Sequence, residues 1–183
     1  MTTQDLLSTA TPPVMQLVAE PAVASSALWQ LRGEIAALHA ARPGGPTSAS
    51  PFVGVLRGGR MRRREGVFDQ FATLLQFPTY FGENWDAFAD CMRDLEWLRA
   101  SAIVIVVLDA PDVLADGDAD EFGLFLEILR ETGEAWSQAD EFRGAMPFHV
   151  LLHAPPERAP SLEARLAALG LEAPVLRLAP SPA

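Results

Sequence analysis

The sequence contains no lysine. All 14 basic residues are arginines, set against 24 acidic ones, and the formal net charge is −10. With so much alanine present, the lack of lysine reads as the coding bias of a GC-rich genome and carries no mechanism. The acidic excess makes nucleic acid and anionic membranes poor partners for the chain as a whole, and favours a basic protein or cationic ligand. The single cysteine, Cys91, excludes an internal disulfide, and no Cys/His cluster has zinc-site spacing. It falls beside the apolar face of a helix, so a buried free thiol in a reducing compartment is expected. There are three histidines, His39, His149 and His153, and none lies in a context that suggests nucleophilic catalysis. His149 and His153 fall on one face of a strand. The segment Arg57–Arg60, RGGR, lacks the spacing and the lysine of a phosphate-binding loop. No stretch approaches the ~20 apolar residues of a membrane span. The start, MTTQDLLSTATPP, lacks the basic residues and apolar run of a secretion leader. The cytoplasm is the expected location.

What is present is 49% hydrophobic in 183 residues, enough for one domain with additions. Residues 1–21, rich in Thr, Ser and Pro, read as an irregular arm. Ala22–Ala41 reads as a helix with Leu28, Leu31, Ile35 and Leu38 along one stripe, and RPGGPTSASP (42–51) as a linker. Phe52–Leu56 reads as a strand and Val67–Phe77 as a helix whose inner face carries Val67, Phe68, Phe71, Leu74 and Leu75. The five arginines between Arg57 and Arg64 read as a solvated turn rather than a nucleic-acid patch. Ala102–Leu108, AIVIVVL, is a continuous β-branched run, the pattern of a strand buried on both faces of a parallel sheet. A helix over 119–136, a strand Phe148–His153, a last helix capped by Ser161 and ending at Gly170, and a short edge strand Val175–Leu178 complete the reading. The expected fold is α/β, a small parallel sheet in two or three layers with three core strands and a fourth at the C-terminus, covered by helices. The expected division is 1–50 for the arm, extra helix and linker, 51–154 for the main domain, and 155–183 for a C-terminal helix and edge strand.

Phe77–Leu98, FPTYFGENWDAFADCMRDLEWL, is the most informative stretch. A loop carrying two aromatics leads into a helix whose apolar face is Trp85, Phe88, Ala89, Met92 and Leu95. Its other face stacks Asp86, Asp90 and Asp94 at i, i+4 and i+8. Like charges at this spacing weaken a helix by roughly 0.2–0.5 kcal/mol per pair. Glu83 and Asp86 in the first turn gain from the helix dipole, but Asp94 does not. The column could bind a divalent metal, supply paired acid and base, or face a protein. No second aspartate-rich helix is evident for the metal. For a protein face, Tyr80 and Phe81 beside the charges are the makings of an interface hot spot. A separate calcium loop over Asp116, Asp118, Asp120 and Glu127 is disfavoured, because Glu121 stands where the loop needs glycine. No metal and no cofactor are expected.

YFGENWDAFADCMRDL resembles the signature of the barstar family of ribonuclease inhibitors: an aromatic pair, Gly, an acid, Asn, Asp-Ala-(Leu/Phe), then Asp-Cys. FVGVLRG resembles the family's first strand, VFDQFATLLQFP its first helix and AIVIVVL its second strand, and the likeness runs from Pro51 to His153. The resemblance implies three parallel strands with helices and no catalysis. It implies a cytoplasmic inhibitor or immunity protein that plugs the active-site cleft of a basic ribonuclease or ribonuclease-type toxin. Tyr80, Phe81, Gly82, Asn84, Asp86 and Asp90 would form the contact face, with Asp90 as central anchor, and Glu131 in LRET an additional acidic contact, followed by Glu134. Three positions depart from the family: Phe81 stands for a tyrosine, Ala89 for a tryptophan and Leu95 for another aromatic.

Overall fold

A computed structural model of the chain describes residues 15–19, 33, 49–138 and 145–171. Its sheet has four strands, all parallel, in the order β1-β4-β3-β2: β1 Met15–Ala19, β2 Phe52–Arg57, β3 Ile103–Leu108 and β4 Phe148–Ala154. Among the described residues, four helices are bounded: α1 Arg64–Leu75, α2 Trp85–Asp94, α3 Glu121–Ser137 and α4 Ala159–Ala168. Parallel neighbours need a crossover, and here α1 and α2 connect β2 to β3 while α3 connects β3 to β4. The α/β class with a parallel sheet is as expected from sequence.

The two central strands are the most apolar. Residues 103–107 of β3 and all seven of β4 are buried, and each of these strands has a neighbour on both edges. Alternation sorts the side chains. Leu17, Leu56, Ile103, Ile105, Val107, Val150 and Leu152 join the main core with the helices, while Val18, Val104, Val106 and Leu151 form a second buried cluster on the opposite face. His149 and His153 share that second face with Leu151 and are buried.

Met15–Ala19 corrects the irregular arm expected for residues 1–21. It is an edge strand in register with β4, from Met15 opposite Val150 to Ala19 opposite Ala154. Five residues among threonines and prolines give too short an alternation to stand out, and the pairing that makes them a strand lies more than 130 residues away in sequence. The last helix is also corrected. It begins at Ala159 with Arg158 at the cap and no side-chain capping bond, so Ser161 lies inside the helix. The helix expected over Ala22–Ala41 lies outside the described residues apart from Gly33, which is helical, and Val175–Leu178 lies outside them altogether. Among the described residues, no helix is long and apolar enough to cross a membrane.

The arginine cluster is partly tied down. Arg62 donates to both Asp116 oxygens at 2.7 Å and to Asp112 at 2.9 Å, and Arg158 reaches Asp112 at 2.8 Å. The Arg158 hydrogen bond, with help from both arginine charges, holds the Asp112 carboxyl below its ordinary range against the opposing effect of burial. Asp116, one of the four candidate calcium ligands, is thus engaged by Arg62, and among the described residues no three His, Cys, Asp or Glu side chains gather as a metal site would need.

Candidate protein-binding site

The site is built from the turn after α1, the loop 76–84, and α2. Gln76 ends α1 in the left-handed conformation, at φ 55°. The Phe81 N–H then donates to the Pro78 carbonyl at 2.9 Å, closing a turn. That turn sends the two aromatics in opposite directions. Tyr80 is 79% exposed. Phe81 points inward, edge-on to Phe68 at 5.7 Å and to Phe77 at 5.1 Å. The two were expected side by side on a contact face, and only Tyr80 is fully presented. The Phe81 ring, packed edge-on against Phe68 and Phe77, serves to fix the loop.

Asn84 holds the loop to the helix. Its Oδ1 accepts the Ala87 N–H at 2.9 Å as the helix cap, and its Nδ2 donates to the Gly82 carbonyl at 3.2 Å. Gly82 is exposed, and a Cβ there would come within 3.1 Å of Asn84 Nδ2. Glu83 precedes the cap at φ 48°, so it is a loop residue and not part of the first turn as expected; of the two acids, only Asp86 lies there.

Within α2, Phe88 and Met92 are fully buried, Trp85 and Ala89 are half-buried, and Leu95 closes the helix in the left-handed conformation at φ 40°. The aspartates take the opposite side. Asp86, Asp90 and Asp94 are all exposed. Among the described residues, the side chains of Asp86 and Asp90 have no hydrogen bond and no ion pair. Burial, and after it the charges of Asp94 and Asp90, push the Cys91 thiol up, so it stays protonated and is a poor nucleophile.

Two polar contacts, among others, fasten α2 to α3. The Trp136 indole N–H donates to the Met92 carbonyl at 3.1 Å, and Arg93 Nη2 meets Glu131 Oε2 at 2.6 Å. Glu131, expected as an additional acidic contact, is thus paired with Arg93, and Glu134 is paired with Arg130 at 2.6 Å. Between the helices lies a groove of about 240 Å³ lined by Trp85, Asp86, Ala89, Asp90, Arg93, Leu124, Ile128 and Glu131. The small side chain of Ala89 leaves it open. Sequence reading missed Leu124, which is 41% exposed beside this groove. The available signal was its position: it falls off the Phe122, Phe125, Leu129 stripe of α3 while remaining apolar.

The rest of the aromatic set supports the site from below. Trp97 donates its indole N–H to the Leu75 carbonyl at 2.7 Å and meets Phe77 edge-on at 6.4 Å, bracing the end of α1 against the segment after α2. Phe68, Phe71, Phe88 and Phe125 stack edge-on or tilted at 5.1–6.3 Å beneath the helix. The carboxylates thus stand on a rigid base, which lowers the ordering cost of any complex they form.

No curated protein matches the chain. Among solved structures it is similar to that of the Aeropyrum pernix ORC2 protein in its ADP form, with a TM-score of 0.63 and 14% identity. That likeness covers 96% of this chain but 44% of the other, and at such low identity it speaks to the fold alone. The sequence of residues 52–152 matches the family described as Barstar (barnase inhibitor), a span that begins with β2, contains the loop and α2, and stops two residues short of the end of β4. The match takes in more than half of the 183 residues, and the chain belongs to the barstar family.

Proposed function

We propose that this protein binds and blocks the active site of a basic ribonuclease or ribonuclease-type toxin, as an inhibitor or immunity protein. Tyr80, Gly82, Asn84, Asp86 and Asp90 form the contact face, with Asp90 at its centre. The observation that carries the reading is the Asp86–Asp90 pair: two exposed carboxylates without counter-ions among the described residues, about 5–6 Å apart at Cβ as helical spacing dictates. A ribonuclease cleft must attract polyanionic RNA, so it is basic. A rigid helix offering unpaired carboxylates imitates phosphates there, and the net charge of −10 steers the encounter. No turnover is involved. The partner would be met in the cytoplasm, and neither nucleic acid nor membrane would bind directly.

Affinity capture from the native extract, followed by a ribonuclease assay on the captured protein, tests this reading. With that ribonuclease, Asp90→Ala is expected to weaken binding by about 2 kcal/mol or more, roughly 30-fold in Kd, as at a desolvated charged hot spot; barnase–barstar is itself a familiar instance of one. An unchanged Kd removes Asp90 from the centre.

A second reading is an interaction module with a non-ribonuclease partner. The Arg93–Glu131 pair favours it, because it neutralises an acid that an inhibitor of this family would otherwise present. Capture of only non-nuclease partners, with no inhibition of any ribonuclease, would decide for it.

A further inference from the structure

The sheet has two faces, and the bounded helices account for one of them. Side chains of α1, α2, α3 and α4 join Ile103, Ile105 and Val107 in the main core. The second cluster is built from strands alone among the described residues. It holds Val18 of β1, Val104 and Val106 of β3 and Leu151 of β4, with Val53, Val55 and Leu108 packed against it. Yet Val104 is 0% exposed, Leu151 1% and Val106 2%. Side chains on a sheet face reach such burial only under a covering layer. Chain outside the described residues must supply it.

We infer that Ala22–Ala41 is this cover, laying its stripe of Leu28, Leu31, Ile35 and Leu38 across the second face. Topology points there first. The strand order is β1-β4-β3-β2, so the steps from β2 to β3 and from β3 to β4 run one way across the sheet, and the step from β1 to β2 runs back. Crossovers between parallel strands are right-handed in about 98% of cases, so a reversed step puts its connection on the opposite face. α1, α2 and α3 lie against the first face, which leaves the second to the connection from β1 to β2. Length agrees. β1 and β2 are the two edges, so the connection passes three strand spacings, about 14 Å, while returning along strands roughly 20 Å long. A helix over Ala22–Ala41 would measure about 30 Å, enough for both, with RPGGPTSASP left to reach Phe52. Orientation agrees too. Gly33 is helical and exposed, and a Cβ there would meet nothing within 4 Å. At about 100° per residue, Gly33 lies roughly 180° from the mean direction of the stripe, which turns the stripe inward. The family match begins at residue 52, so the domain it describes has its second face closed by chain that precedes it. α2 and its carboxylates are on the other side of the sheet, and the contact face stays open whatever partner it meets.

Methyl NOE spectroscopy on the full chain tests this, with a second sample mixed from two labelling patterns to separate contacts within one molecule from contacts between two. Methyl groups of Leu31 and Ile35 are expected to give NOEs to those of Val104, Val106 and Leu151 within one molecule, and none to Ile105 or Val107 on the first face. Two variants give an independent reading. Leu31→Asp, which puts a carboxylate beneath the cover, should lower Tm by about 5 °C or more, while Gly33→Asp on the outer side should change it by about 2 °C at most. Should Leu31→Asp fail to fold, the NOEs of the unaltered chain still decide. NOEs found only between molecules would give the face to a second copy, and NOEs to Ile105 and Val107 would put the segment on the first face. Either result would overturn the inference, as would the absence of any NOE to the second face, or a Tm that Leu31→Asp leaves unchanged or that both variants lower equally.

Discussion

Asp90→Asn should make the free protein more stable. Asp90 sits mid-helix in α2, four residues after Asp86 and four before Asp94, and all three are exposed. Replacing its carboxylate with an amide of nearly the same shape and helix propensity removes two like-charge pairs, each worth roughly 0.2–0.5 kcal/mol. Arg93, three residues on, would offset part of this if it leaned toward Asp90, but it is held at 2.6 Å from Glu131 on α3. Asp90 lies away from both helix ends, so the dipole contributes little. The sum is a gain of about 0.4–1 kcal/mol, which for a chain of this size raises Tm by about 1–4 °C. Paired thermal and urea denaturation at low salt measures it. Repeating the measurement near 1 M salt, where the Debye length is about 3 Å, should remove most of the gain. Destabilisation by the substitution, or a gain indifferent to salt, would refute the reasoning that the aspartate column is a strain on the fold kept for a partner.

Three further perturbations probe other parts of the structure. Asn84→Ala removes both the cap to Ala87 and the bond to the Gly82 carbonyl, and should cost about 1–2 kcal/mol in urea denaturation. Asn84→Asp, which can still cap, should recover most of that loss. Leu17→Ala empties a fully buried position in β1 and should cost about 2–5 kcal/mol; a loss under about 0.5 kcal/mol would mean that β1 is not part of the cooperative fold. Stability should fall as pH drops below the ordinary carboxylate value of 3.8, because the folded Asp112 carboxyl lies lower and the unfolded chain takes up the proton first. The Asp112 contribution is present above 3.8 and lost as pH falls through its folded value, so Asp112→Asn should flatten the acid limb of a stability–pH curve.

The residues of α2 and its loop were legible because the information is local. Loop aromatics, a capping Asn84, apolar residues at steps of three and four and aspartates at steps of four all lie within one short stretch, and backbone geometry alone fixes which face each takes. β3 was legible for a similar reason, since an unbroken β-branched run has no polar face to turn outward. β1 was not, because Met15–Ala19 becomes a strand only through its ladder with β4. The direction of Phe81 depended on where Phe68 and Phe77 come to lie.

Sequence by itself therefore determined the parallel α/β class, the position of α2 and the outward column of Asp86, Asp90 and Asp94. Only the tertiary structure decided which of the acids stay unpaired. Arg93 and Glu131 are 38 residues apart and meet because α2 packs on α3, tied there by the Trp136–Met92 bond. That meeting removes Glu131 from the free acids, leaves Asp86 and Asp90 uncompensated, and bounds the groove over Ala89. Helical periodicity assigns a side chain to a face, whereas its charge partner is set by the neighbouring helix, which no local pattern encodes.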